Sequence, residues 1–529
     1  MNYKLLGRIL GKIMILESIL MIAPLIVSIG YNEGTKNIIA FIVPICALAL
    51  LGGLMQIPKP ERRSLYQKEG FALTALVWII MTLFGAIPFV INGDIPYYHD
   101  ACFEIMSGFT TTGSSIITDI TAISHSSLFW RSFAHWIGGM GILVFVLIFI
   151  PESNEGSSMH LLRAESPGPQ VGKIVSKMKV TSRILYLIYL GMTVLEVIIL
   201  MCGPIIDYSV TDAVVGIDYR NDKFFHALLT SFGCAGTGGF GFIPNSLEFF
   251  TPFAQYVVSI FLILFGCNFA LYYLILIGKA KHILKSEEFK SYILIIVVSV
   301  GLVFGSLLSK LQLFGYSPEE SFRHSLLQVT SLLTTTGFTS TDYNLWPTLA
   351  VTVLVLVMIF GAMAGSTAGG IKISRVVIAL KGIYVSIRKL INPRYVPKTK
   401  FEGKSLNEKT TNDVFSFIAL YFFIIFGVTL LLSFDPVNGQ TFVINSDLGA
   451  VANPESGTYT VTHGFFSNLS ASIACISNIG PAFEAVGPYS SYAGYNAFST
   501  ILLTFTMLIG RLEILPVLIL FTPRTWKKT

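Results

Sequence analysis

The 529-residue chain is 53% hydrophobic and only 12% charged, about half the charged share usual in soluble domains. That excludes a cytosolic enzyme, a disordered chain and a fibre. The net charge of +6 is dispersed and gives no footing for nucleic acid, and the six cysteines show no metal or disulfide spacing.

A membrane helix needs about 20 apolar residues. In chain order such runs fall at 13–30, 37–58, 70–93, 132–151, 184–206, 249–278, 291–309, 343–371, 414–434 and 485–510. Ten spans make an all-α polytopic membrane protein embedded in a lipid bilayer. The first run is too long and too poorly cleavable for a signal peptide, and a second span follows closely. With both termini cytoplasmic, 30 of the 36 Lys and Arg lie on or near the inner side, as the positive-inside rule requires. The outer segments carry 17 Asp and Glu. They are either loops that simply lack bases or a field that gathers cations.

After the first two spans (1–69), one unit recurs at 70–151, 152–280, 281–411 and 412–529. Each is a span, a short outer segment and a second span. The short segments, 97–118, 223–243, 320–341 and 463–483, are too short to cross. Each runs through an amphipathic stretch to a small-residue turn: Thr111-Thr112-Gly113, Thr237-Gly238-Gly239, Thr335-Thr336-Gly337 and Asn478-Ile479-Gly480. His226 and His324 each lie 13 residues before a glycine, Gly239 and Gly337. In the second copy Gly238 competes with Gly239 for the equivalent place.

Non-helical backbone at membrane depth must be packed in protein or line a watery path. Four re-entrant segments therefore predict pseudo-fourfold repeats around one pore. Rings of backbone carbonyls there can replace the hydration shell of a monovalent cation.

These motifs resemble the Trk/Ktr/HKT superfamily of potassium transporters, and most closely the bacterial TrkH type. The likeness extends to Trp136-Ile-Gly-Gly-Met-Gly141, Ala364-Gly-Ser-Thr-Ala-Gly-Gly-Ile-Lys372, Asn392-Pro-Arg394 and Gly510-Arg-Leu-Glu513. The two leading spans look like the extra domain of the TrkH type. The resemblance implies potassium uptake across the bacterial cytoplasmic membrane through a gated, K+-selective pore. It also implies a homodimer and a cytosolic, nucleotide-binding regulatory ring of the TrkA type. Related plant proteins with serine at the first filter glycine transport sodium; Gly113 here favours potassium. No cofactor is expected in this chain, and K+ is the transported ion held at the filter. A symporter driven by H+ or Na+ is the alternative.

Two gate candidates follow. The stretch Gly361–Gly370, with Gly365, Ser366, Thr367 and Gly369 inside it, breaks the second helix of the third unit. It is either tight helix packing or a mobile loop below the filter. Arg511 is either a snorkelling cation paired with Glu513 or a positive barrier in the path. Lys372 admits the same two readings. Arg131, with His135 and Trp136, reads as a membrane-interface anchor, and Glu196 as a helix-packing contact. No HExxH, GxSxG or P-loop is present, so neither an enzyme nor an ATP-driven pump is expected. The basic segments at 173–183, 279–290 and 388–409 offer a cytosolic partner a surface.

Overall fold

The computed structural model describes residues 2–58, 67–141, 178–207, 222–310, 314–392, 398–445 and 458–526. Six helices or helix pairs among them are long and apolar enough to cross a membrane: 3–30, 35–54, 69–92, 180–202, 287–308 and 408–432. A seventh candidate, Pro252–Phe265 with Phe269–Leu276, is bent by 90°. The helices Thr348–Ile359 and Ala497–Arg511 are shorter. The expected span at 132–151 begins in the helix His125–Gly139, and its end lies outside the described residues.

The two leading helices, Tyr3–Leu20 and Thr35–Leu54, touch backbone to backbone. A Cβ on Gly11 would lie 2.7 Å from the Gly52 carbonyl oxygen, and the converse distance is also 2.7 Å. Small residues at such a crossing are how membrane helices approach closely.

Four short helices fill the centre: Tyr98–Phe109, Lys223–Gly236, Pro318–Leu333 and Phe465–Ser477. At 1.5 Å per residue they run about 18–24 Å, short of a span. The third starts with a full capping box. The Ser317 hydroxyl accepts from Glu320 N, and the Glu320 carboxylate accepts from Ser317 N. That bond holds the Glu320 carboxyl below its ordinary range. Each short helix is followed by a turn and then by a second long element.

One of those second elements departs from the expected continuous span, and another breaks at the glycine-rich stretch where the sequence predicts a break. At 249–278 the helix stops at Phe265 and restarts at Phe269, where the Asn268 side chain accepts from Ala270 N. Asn and Gly at 266–268 are the sequence signal for that corner. At 343–371 the helix stops at Ile359, and a non-helical segment runs to Lys372 before Ile373–Ile391 begins. Two short antiparallel hairpins complete the chain, Lys400–Phe401 with Lys404–Ser405 and Thr441–Asn445 with Thr458–Thr462.

The helix His125–Gly139 crosses the end of the first short helix with no room for a side chain. A Cβ on Gly138 would lie 1.8 Å from the Phe109 carbonyl oxygen. Gly191, mid-helix in Met178–Cys202, faces open space. Gly138→Ala should therefore lower stability by about 1–3 kcal/mol or more through overpacking. Gly191→Ala should raise it by up to about 1 kcal/mol through reduced backbone entropy. Thermal unfolding in detergent checks both; equal midpoints for the two variants would refute the close approach.

Candidate ion pathway

The four short helices end in the same way. Thr111, Thr237, Thr335 and Asn478 have φ of 55°, 53°, 55° and 57°. Two residues on, Gly113, Gly239, Gly337 and Gly480 have φ of 82°, 72°, 86° and 101°. The hydrogen bonds repeat as well. Thr112 N donates to Ser107 O (2.8 Å), Gly238 N to Gly233 O (2.9 Å), Thr336 N to Ser331 O (2.8 Å) and Ile479 N to Ala474 O (2.9 Å). These are Schellman turns, but with threonine or asparagine where glycine is usual. A β-branched residue at positive φ is a genuine outlier, and each costs on the order of 1–3 kcal/mol.

The turns close a ring. A Cβ on Gly113 would lie 2.0 Å from Gly238 O, one on Gly239 2.0 Å from Thr336 O, and one on Gly337 1.9 Å from Ile479 O. One on Gly480 would lie 2.7 Å from Thr112 O. Each glycine thus abuts the carbonyl before the glycine of the next copy, in the order one, two, three, four, one. Gly239, not Gly238, holds the position equivalent to Gly113, and Gly238 supplies the abutting carbonyl. Among the described residues, no donor reaches the carbonyl oxygens of Thr112, Gly238, Thr336 or Ile479. Buried carbonyls are almost always paired, so these four form a ring of candidate acceptors.

Different chemistry braces each turn from behind. In the first copy Glu104 Oε2 accepts from Ile116 N (2.9 Å), and Glu104 Oε1 accepts from Arg131 Nε (2.6 Å). Arg131 also donates to Gly241 O and Ser115 Oγ, 3.3 Å each, and stacks 4.0 Å over Phe240. Arg131 is 2% exposed and Glu104 0%, so Arg131 is no interface anchor. The alternation of apolar and polar residues around it hid a buried ion pair, whose single-sided loss costs about 3–5 kcal/mol.

His135 is likewise buried. Its Nδ1 lies 2.8 Å from Gly108 O, and Phe240 N donates to its Nε2 (3.3 Å). A carbonyl only accepts and an amide only donates, so the ring is the neutral Nδ1–H tautomer. It ties the first short helix to the second turn.

In the second copy His226 stacks on Phe242 with centroids 4.8 Å apart. In the third, His324 Nδ1 meets Ser340 Oγ at 2.8 Å. In the fourth, Phe483 N donates to Ser470 Oγ (3.2 Å), and Ser467 Oγ donates to Glu484 Oε2 (2.7 Å). Glu196 is fully buried within the long helix Met178–Cys202.

Directly behind the ring lie both gate candidates. Arg511 Nη1 donates to Thr111 Oγ1 (3.1 Å) and Thr367 O (2.8 Å), and Nη2 donates to Gly138 O (2.6 Å) and Gly139 O (2.8 Å). It does not snorkel. Nor does it pair with Glu513, which binds Arg375 instead. A Cβ on Gly510 would lie 2.1 Å from Ile476 O, so glycine there lets this helix press against the fourth short one.

The segment 360–372 folds into a compact loop whose two ends run side by side in parallel at Phe360 and Ile371. Gly361 N donates to Ile371 O (2.8 Å), and a Cβ on Gly361 would lie 2.0 Å from Gly369 O. Gly369 N donates to Thr335 Oγ1 (2.6 Å), which fastens the loop to the third turn. Thr367 is buried against Phe265. Gly365 and Gly370 take φ of 77° and 63°, and the Gly365 carbonyl accepts from Phe269 N (3.1 Å) at the 90° corner. Ser366 closes a local turn onto Met363 and does not reach the ring. Lys372 is buried, with its ammonium on the Ala368 carbonyl. It pins the loop and is not at an interface. Asn392 ends its helix, and the rest of its motif lies outside the described residues.

The TrkH family of cation transport proteins matches residues 34–442. The Trk system potassium uptake protein TrkH of Escherichia coli K12 is 28% identical over 539 residues, with 100% of both chains covered. The potassium uptake protein TrkI of Halomonas elongata is 28% identical over 534 residues, covering 98% of this chain and 96% of that protein. The crystal structure of the potassium transporter TrkH from Vibrio parahaemolyticus superposes with a TM-score of 0.79 at 27% identity, over 100% of each chain. The chain therefore belongs to the TrkH family of cation transport proteins, whose Trk-system members are potassium uptake proteins.

Proposed function

We propose that this chain takes up K+ through a gated, K+-selective pore, and that the ring at Gly113, Gly239, Gly337 and Gly480 is its selectivity filter. One observation carries the reading: four buried carbonyls, on Thr112, Gly238, Thr336 and Ile479, without a donor among the described residues. A dehydrated monovalent cation is the ligand that such oxygens suit. The short helices add their negative C-terminal dipole ends just behind it.

In this reading the chain makes ten crossings in four pseudo-symmetric units behind a two-span leader. The second helices of the second and third units cross as bent or interrupted elements, and each short helix enters from outside. The membrane is the bacterial cytoplasmic one, with both termini inside. The chain works as a homodimer with a cytosolic nucleotide-binding ring, and K+ passes as cargo with no cofactor bound to the chain. The gate is the loop 360–372 with Arg511, held closed by bonds to the first and third turns. Purified protein in liposomes tests the whole reading. K+ should flow faster than Na+, and Na+ flux equal to K+ flux would overturn it.

Gly113→Ser adds a side chain where none fits and restricts a backbone at φ 82°. The K+/Na+ permeability ratio should fall about tenfold, equivalent to roughly 1.4 kcal/mol of differential coordination. A folded variant with the parental ratio would refute the filter assignment.

Arg511→Ala should raise basal K+ flux in protein free of cytosolic partners by about tenfold or more. A unit charge about 4 Å away repels a cation by several kcal/mol at an effective dielectric near 20. Arg511→Lys should leak less than Ala, because it keeps the charge, and more than the parent, because it lacks the planar fork. Tracer uptake separates the three; equal leak in parent and Ala variants would dismiss the barrier.

A further inference from the structure

Glu513 lies two residues beyond Arg511, yet its carboxylate accepts from Arg375 Nη2. The two side chains are 14% and 9% exposed, so water screens the pair little. Arg375 is held on its other face by Phe417, 4.0 Å from its guanidinium carbon. Phe417 belongs to the long helix Glu408–Leu432, which gives the pair a fixed backing.

The backbone at Glu513 turns sharply. Glu513 has φ 52°, and Ile514 has φ 69° with ψ −58°. That is close to the classic γ-turn, a rare and strained conformation, and Ile is β-branched. Glu513 N donates to Gly510 O (3.1 Å) and Ile514 N to Ile509 O (2.9 Å). The helix carrying Arg511 thus ends in a tightly wound elbow before Leu515–Leu520 starts. A strained elbow persists only where its surroundings over-determine it.

The other partner leads to the loop. Arg375 sits in the first turn after Lys372, and its amide donates to Lys372 O (2.9 Å). Glu288 Oε1 accepts from Ala364 N (2.7 Å) and Ser374 N (3.2 Å), tying the loop to the start of the same helix. The Arg375–Glu513 pair therefore joins the far end of the loop to the segment that aims Arg511.

We propose that Arg375 and Glu513 form a latch that holds the Ile514 elbow wound and so keeps Arg511 against the ring while the loop is closed. Both are positioning residues: neither touches the ring itself. Opening breaks the pair, the elbow relaxes, and Arg511 leaves together with the loop. This rests on the proposed barrier role of Arg511.

The test is recording from full-length protein in bilayers without cytosolic partners. Glu513→Gln and Arg375→Gln should each raise basal open probability about tenfold, the range expected for losing a charged hydrogen bond. Unitary conductance and the K+/Na+ ratio should stay at parental values, which a general loosening of the fold would not leave intact. The exchange Arg375→Glu with Glu513→Arg should restore closure, since it rebuilds the pair. If the Gln variants do not fold, Arg375→Lys gives the same readout with the charge kept, and partial opening is expected. Parental open probability in folded single variants would overturn the latch, as would an exchange variant as open as the singles. If Arg511→Ala conducts and Glu513→Gln stays shut, the latch alone fails. If neither parent nor Arg511→Ala passes K+, the pore reading fails first.

Discussion

The structure depends on one constraint: backbone must approach backbone around a central axis with no side chain between. At each of the four turns a glycine abuts a carbonyl of the next copy. That proximity sets up four acceptors with no donor among the described residues. Unpaired buried carbonyls destabilise a fold unless something occupies them. In each copy a side chain of the short helix holds the segment just past the turn: Glu104 on Ile116, His226 on Phe242, His324 on Ser340 and Ser470 on Phe483. The turns themselves are strained at Thr111, Thr237 and Thr335, so packing and hydrogen bonds must offset that cost as well.

The backbone is fourfold and the bracing is not. An ion pair supports the first turn, an aromatic stack the second, a histidine–serine contact the third, and two serines the fourth. Equivalent backbone with unlike supports gives each quadrant its own stiffness. It also breaks the symmetry behind the ring. The third unit contributes the loop 360–372 and the fourth contributes Arg511. The loop bonds Thr335 of the third turn, the arginine bonds Thr111 of the first, and the two meet at Thr367 O.

This division explains what was legible in the sequence. The glycines repeat because backbone geometry repeats, so Gly113, Gly337 and Gly480 stood out at once. Gly239 needed the structure, since Gly238 offers the same residue type one place earlier. The positive φ at the threonines was invisible, because nothing in Thr-Thr-Thr signals a left-handed residue. Glu104 and Arg131 were unreadable as a pair: they are 27 residues apart on two helices, and only their crossing joins them. The loop at 361–370 was visible through its glycines. Its fastening to Thr335, and the elbow at Ile514, belong to tertiary contact alone.

Under the proposed function, Arg511 stands in for the ion that it excludes. Its guanidinium is held by the carbonyls of Gly138, Gly139 and Thr367 and by the Thr111 hydroxyl, all oxygens. An oxygen cage around a positive charge is also what a dehydrated K+ requires. The closed arrangement thus satisfies carbonyls that would otherwise face a low-dielectric path unpaired. Moving Arg511 aside leaves those oxygens to water or to the passing ion, which is permitted only once the path is hydrated. Closure and conduction then compete for one set of acceptors, and intermediate positions of the arginine satisfy neither. Under the proposed function, that competition makes the gate two-state rather than graded, with the balance set by whatever holds the arginine's helix in place.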